Sequence, residues 1–263
     1  MKKSFIFFLL SLSCSLLWAQ HELLLYGQGG LFSLNYDLKD GTHKQDIGGG
    51  IGLGYVYNFT SHWSLGTGVE ANIYRSNCTL PAMKGSYTFN EGYEMFNFRY
   101  EALDYKEQQQ LYALNIPLML TYGLPIGQNL SFYFSGGLKF GIPLWAKYSS
   151  SGTFTTKGYY YYENQEYEDI PEFELRHQSV QVDDSFSLGL SYQLSMELGL
   201  KVRVIYIGLY CDYGLNNIQK TITPVMQYTM NPVTVKYNSI LNSDQVSKIS
   251  SIAAGIRLKF SFL

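Results

Sequence analysis

Residues 113–123 read "ALNIPLMLTYG". Leu114, Ile116, Leu118, Leu120 and Tyr122 share one face of a period-2 strand, and Asn115, Pro117, Met119 and Thr121 share the other. Proline has no N–H to give a hydrogen-bond ladder, so a central strand of a soluble core is a poor place for Pro117. The apolar face is also unusually pure. Tyr112 and Tyr122 are ten residue steps apart, which at ~3.3 Å each and a ~40° tilt span roughly 25 Å. That is the height of the apolar band of an outer-membrane barrel. On this reading the Leu/Ile face meets lipid and Pro117 faces a lumen, where a β-bulge is expected to absorb its missing donor.

The same period recurs seven more times. Candidate strands lie near 22–36, 45–59, 63–75, 110–124, 130–147, 184–199, 202–215 and 249–262. The sixth is the most regular, with Phe186, Leu188, Leu190, Tyr192, Leu194, Met196 and Leu198 on one face. Its other face is mostly Ser, Gly and Gln. The phase of the first strand is ambiguous. Short connections (60–62, 125–129 and around Lys201) alternate with longer ones (37–44, 76–109, 148–183, 216–248). Short inner turns and long outer loops are the plan of an up-and-down outer-membrane barrel. The expected fold is therefore all-β: an eight-stranded antiparallel transmembrane barrel with both termini in the periplasm.

A soluble, lipocalin-like barrel alternates in the same way, so the polar face has to decide. A water-facing exterior is rich in Lys, Glu, Asp and Arg. Here that face is Gly, Ser and Ala with scattered charges: Glu70, Lys139, Glu197, Asp212, Arg257 and Lys259. Small residues with a few opposite charges suit a narrow lumen in which ions pair. Eight strands leave an interior that side chains fill, so a structural ion-pair network is expected in preference to an ion path. Phe59, Trp63, Tyr112, Tyr122, Tyr213 and Phe262 fall at or near strand ends, as aromatic girdles require.

The chain opens "MKKSFIFFLLSLSCSLLWAQ". Two lysines, a short apolar run and Ala19 before a cleavage point have the layout of a secretory signal peptide, 1–19, leaving 20–263 as one barrel domain. "SLS" before Cys14 is a poor lipobox. The leader's apolar run is too short and too Ser-rich for a membrane anchor, and no later stretch supplies about eighteen apolar residues in a row, so no helical span is expected. Lys2 and Lys3 belong to the leader, and without them the 19 basic and 21 acidic residues become 17 and 21, a formal −4. That balance leaves no electrostatic footprint for nucleic acid. Cys78 and Cys211 make no disulfide framework, and their positions far apart around the barrel argue against a pair.

At this point the residues resemble a known family. "ALNIPLMLTY" is similar to the Y-L-E-I-P-L-L-L-K-Y strand of PorT-type outer-membrane β-barrels, and "YGLNNI" (213–218) to that family's Y-G-L-x-N-I. The Gly-rich early strands and the final "RLKFSF" fit as well. Ala113, Asn115 and Thr121 depart from the family's usual Tyr, Glu and Lys, and the last residue, Leu263, is not aromatic. The resemblance implies insertion by the barrel assembly machinery among outer-membrane lipids. It implies no single activity.

Function is expected in the outer loops. "GYYYYENQEYEDIPEFE" (158–174) carries Tyr159, Tyr160, Tyr161, Tyr162 and Tyr167 among acids. Across 149–183, seven acids meet only Lys157 and Arg176, a formal −5. Tyrosine gives large contact area with few rotors, so this is a candidate surface for an envelope or extracellular protein or a glycan. The alternative is a β-extension above the membrane. Glu166, Glu168 and Asp169 lack EF-hand spacing, and no metal or cofactor is expected. The expected role is non-enzymatic: surface binding, envelope structure or an accessory in export. A narrow porin is the first alternative, because residues 220–240 suit an extra hairpin. The second is a deacylase-like lipid-modifying enzyme built on His177, Ser179 and Asp183 or Asp184, with His43 the other outer-loop histidine and His21 and His62 on the periplasmic side.

Overall fold

A computed structural model describes residues 20–91, 94–162, 165–169, 173–230 and 232–262. The expected leader, Leu263 and parts of 158–174 lie outside the described residues. The strands are β1 (His21–Leu38), β2 (Thr42–Gln45), β3 (Ile47–Asn58), β4 (Trp63–Glu91), β5 (Glu94–Pro125) and β6 (Leu130–Tyr162). They continue with β7 (Gln165–Asp169), β8 (Gln178–Phe186), β9 (Ser191–Val202), β10 (Ile205–Gly214), β11 (Met226–Met230), β12 (Val233–Tyr237) and β13 (Val246–Ser261).

Eight of these close a ring. β1 pairs β3, and the ladder runs on through β4, β5, β6, β9 and β10 to β13, which pairs β1 again, every pairing antiparallel. Closure leaves no sheet edge within the ring, which is what hydrocarbon demands of a β-structure. Leu53, Leu65, Leu118, Leu138, Leu198, Leu209 and Leu258 face outward and are exposed. The even residues of β1 from Glu22 to Tyr36 point inward, which resolves the phase of the first strand.

Pro117 faces the lumen and is buried. It makes no bulge, contrary to expectation. The β4–β5 ladder skips from Thr67↔Leu118 to Glu70↔Asn115 with its register unchanged. The Thr67 hydroxyl donates to the Pro117 carbonyl at 2.9 Å, and the β5–β6 ladder on the other side runs through unbroken. A closed barrel thus holds register across two missing rungs.

The larger correction concerns the outer loops. Most of 76–109 and 148–183 is strand, because β4, β5 and β6 run 29, 32 and 33 residues. At ~3.3 Å per residue and a ~40° tilt, β5 reaches roughly 45 Å beyond Tyr112. Below Tyr112 the apolar side chains point out, and above it they point in. The reversal is built by local faults. Pro81 and Asp104 stand opposite one another without a bridge, and Asp104 has left-handed backbone geometry, with φ 51°. Leu144 is a bulge opposite the Tyr112–Ala113 step. The long run expected as one strand over 184–199 is broken at 187–190, where Leu188 is buried beside the extension while Leu190 is exposed. In each case the sequence alternation continues and the facing switches.

The interior so created is filled by the fourth outer connection. Residues 220–240 contain a hairpin, β11–β12, but it forms its own two-stranded sheet and adds nothing to the ring. Val225, Met226, Tyr228, Ile240 and Leu241 are buried with Phe32, Leu80, Phe96, Phe98, Ala102 and Phe154. Tyr228 stacks on Phe98 at 5.3 Å, and the Tyr87 hydroxyl meets the Tyr228 backbone. The charged part of the lumen therefore lies mainly in the membrane zone, and above it the interior is closed by a largely hydrophobic plug.

One buried carboxylate ties wall to plug. Glu107, on β5 above the girdle, accepts from Ser239 Oγ (2.5 Å), the Ile240 N–H (2.9 Å), Tyr105 OH (2.5 Å) and Gln109 Nε2 (3.0 Å). Burial outweighs these donors and holds its carboxyl above the usual carboxylate range. The docked plug then binds the proton more tightly than the undocked one, so docking is strongest below about pH 4.5 and weakens as pH rises through the raised value. The hydrogen-exchange protection of Ile240–Asn242, taken relative to the intrinsic base-catalysed rate at each pH, should fall with rising pH, and Glu107→Gln should flatten that dependence.

Candidate functional site: the lumen ion chain and the outer platform

The glycine face of β3 makes room for the lumen network. A Cβ on Gly52 would lie 2.4 Å from the Tyr26 ring, and one on Gly50 would lie 1.8 Å from Asn72 Oδ1. Only bare backbone lets Tyr26 and Asn72 cross that wall. Gly30, at φ 147°, bends β1 where a side chain would strike Ala254 O.

All six lumen charges expected from the sequence come together. Lys139 Nζ sits 2.7 Å from Asp212 Oδ2 and 3.0 Å from Glu70 Oε2. Arg257 reaches Glu70 at 3.5 Å and Glu197 at 2.6 Å, and Lys259 reaches Glu197 at 2.8 Å. Acid and base alternate in one chain: Asp212, Lys139, Glu70, Arg257, Glu197, Lys259. Its formal charge is zero. The links are chords, since β6 is separated from β10 by β9 and from β4 by β5. Spare acceptors are met by Tyr26 OH on Glu70 (3.1 Å), Tyr133 OH on Glu197 (2.6 Å) and Ser195 Oγ on Asp212 (2.6 Å). Arg257 also lies 4.4 Å over the Tyr210 ring. Below the chain remains a cavity of about 50 Å³.

A further pair closes the periplasmic end. Glu22 accepts from Lys201 Nζ (2.9 Å) and Tyr206 OH (2.6 Å). Sequence reading missed it because β1 had no settled phase and Lys201 was assigned to a turn.

The expected girdle residues Phe59, Trp63, Tyr122, Tyr213 and Phe262 are exposed on the outer wall. Tyr112 is half-buried because it stacks on Trp145 at 4.8 Å. Trp145 belongs to the same belt and was hidden by the Leu144 bulge, which puts it out of phase with β6 below. Cys78 points inward and Cys211 outward, and both are free. Burial, with the charge of Glu107 behind it, pushes the Cys78 thiol up to about 12, so it is no reactive thiolate.

The tyrosine run is split by strand alternation. Tyr161 and Tyr167 are exposed, and Tyr159 lies 4.2 Å under Arg99 on the outer face. Tyr160 turns inward and packs edge-on against Phe96 at 4.9 Å, so it belongs to the core and leaves the expected surface. The Tyr162 side chain lies outside the described residues. Arg99, which also pairs with Glu166, joins the platform from β5. His177, Ser179, Asp183 and Asp184 are exposed, and no hydrogen bond links them to one another among the described residues. Ser179 and Asp183 sit four residues apart along β8, roughly 13 Å. No group of three or more metal-ligating side chains occurs among the described residues.

A family model described as outer membrane protein beta-barrel domain matches residues 18–220. The chain belongs to that family. It is an outer-membrane β-barrel protein, and the exposed Leu/Ile band faces lipid. A comparison with curated proteins found no match. Among solved structures the chain is similar to the attachment invasion locus protein Ail of Yersinia pestis. The identity is 14%, covering 92% of this chain and 98% of that one, with a TM-score of 0.28.

Removing one member of a buried ion pair strands the others and costs about 3–5 kcal/mol. Lys139→Met should leave Asp212 without its cation and Glu70 with Arg257 alone, and lower the barrel's unfolding free energy by that amount in a denaturant titration. Lys84→Met, at a 3.3 Å pair with Glu101 that is largely exposed, should change it by less than about 1 kcal/mol.

Proposed function

We propose that this barrel is non-conducting and non-catalytic, and that it serves as a membrane-anchored platform for binding a macromolecule at the cell surface. The observation that carries this reading is the extension: three strands continue far beyond the girdle and, with the plug, enclose a second, largely apolar core. Loops would close the barrel at lower cost in ordered backbone. A rigid, water-exposed sheet is worth building where a surface must keep its shape, because pre-organisation lowers the entropy lost on binding.

Tyr159, Tyr161, Tyr167 and Arg99 form the favoured contact patch. They are the residue types that dominate binding hot spots. The narrow-porin reading has less support, since a path through the lumen would have to cross both the ion chain and the plug. The deacylase-like reading has less support again, because Ser179 and the aspartates are spread along a strand. A PorT-type accessory role in export would use the same platform, and rests on "ALNIPLMLTY" and "YGLNNI".

The test has two parts. In planar bilayers the purified full chain should give no steady conductance, and an open channel would overturn the proposal. On protein and glycan arrays, the chain held in nanodiscs should bind a defined set. Tyr159→Ser with Tyr161→Ser and Tyr167→Ser should weaken that binding at least about tenfold while heat-modifiable migration on gels is unchanged. Absence of any array binding by the wild type, or equal binding by the variant, would refute the platform.

A further inference from the structure

On the lipid-facing wall, two outward positions shrink to Gly49 on β3 and Ala71 on β4. They floor a groove of about 580 Å³ whose walls include Ile51, Ile73, Leu144 and the Tyr112–Trp145 stack. The groove opens within the apolar band, where the surrounding solvent is lipid acyl chain. Its outer end is Arg75. The same arginine lines a second cavity of about 470 Å³ just beyond the girdle, together with Lys147, Gln108, Gln110 and Asp183. One side chain therefore joins an acyl-sized trough in the bilayer to a charged pocket at its surface.

Three of the five charged side chains that line that pocket, Arg75, Lys147 and Asp183, are uncommitted. Elsewhere on the outer face Lys84 pairs with Glu101, Arg99 with Glu166 and Lys157 with Glu168. Arg75, Lys147 and Asp183 make no ion pair or side-chain hydrogen bond among the described residues. The pocket's other two carboxylates already hold donors: Asp46 accepts from the Ile47 N–H (2.7 Å) and Asn77 Nδ2 (3.1 Å), and Asp184 from the Ser185 N–H (2.7 Å). Two free cations suit a phosphate, arginine through its two-pronged donor geometry. A free carboxylate beside them suits an ammonium group. Together they match a headgroup carrying both charges.

We propose that this face binds a lipid of the outer leaflet bearing a phosphoethanolamine headgroup. Its acyl chain lies over Gly49 and Ala71, its phosphate meets Arg75 and Lys147, and its ammonium meets Asp183. A phosphoglycerol head offers Asp183 no cation, and a phosphocholine head offers it no N–H.

Native mass spectrometry on the full chain in detergent tests this with phosphatidylethanolamine, phosphatidylglycerol and phosphatidylcholine of equal acyl length. Phosphatidylethanolamine should be retained about tenfold more tightly than either competitor. Arg75→Glu with Lys147→Glu should abolish that preference, and Asp183→Asn should let phosphatidylglycerol bind as well. Ala71→Phe should weaken all three lipids by filling the groove, while Lys84→Gln should change nothing. Unaltered heat-modifiable migration would show that each variant is folded. Equal retention of the three lipids by the wild type, or an unchanged preference in the Arg75/Lys147 variant, would overturn the proposal. So would full competition by water-soluble phosphoethanolamine with Ala71→Phe silent, because the groove would then be idle.

Discussion

Each outward side chain of this barrel has to match the solvent at its own height, and that solvent changes from hydrocarbon to water part-way up the strands. The rest of the structure follows from this constraint. In hydrocarbon, Leu and Ile face out and every buried charge must find a partner inside. In water, the same alternation would expose one apolar row for the whole length of the extension. The chain keeps the alternation and reverses the facing. The Pro81–Asp104 fault, the Leu144 bulge and the break at 187–190 each turn the apolar row inward. A fault in a strand is usually read as local irregularity. Here several of them share one purpose, at the boundary between two solvents.

Reversal creates a second requirement, because an apolar interior open at the top would fill with water. The connection between β10 and β13 supplies the lid. Its hairpin and the short turn at Ile240–Asn242 bury their apolar side chains against the extension. Glu107 joins the two through hydrogen bonds to Ser239 and Ile240. The lumen is thus sealed twice by different physics: by paired charges in the membrane zone and by hydrophobic packing above it. The first seal gives a neutral, cross-linked interior. The second gives the extension a core, and so a surface that holds its shape.

Much of this was legible in the residues alone. The purity of the Leu114–Leu120 face against the Gly/Ser face, with girdle aromatics at its ends, separated a lipid-facing barrel from a soluble one. The six lumen charges were legible because a charged residue on a face otherwise made of Gly, Ser and Ala has no other place to go. The strand count followed from eight period-2 runs with short and long connections in turn. Glu22 and Lys201 were missed for want of a phase, and Trp145 because a bulge shifted its parity.

What the sequence determined by itself, then, was alternation: which side chains share a face, and how many strands alternate. Alternation is a local property of an extended backbone, set by a repeat of two residues, and it survives a bulge with no mark in the composition. What only the tertiary structure decided was which way each face points and which charges meet. Tyr160 reads like its neighbours and lies in the core, and Leu188 shares parity with Leu190 and faces the opposite way. The links Asp212–Lys139–Glu70 and Glu70–Arg257–Glu197 cross between strands that are not neighbours in the sheet. Closure of the ring brings those side chains across the lumen, and no repeat along the chain records a distance measured across a barrel.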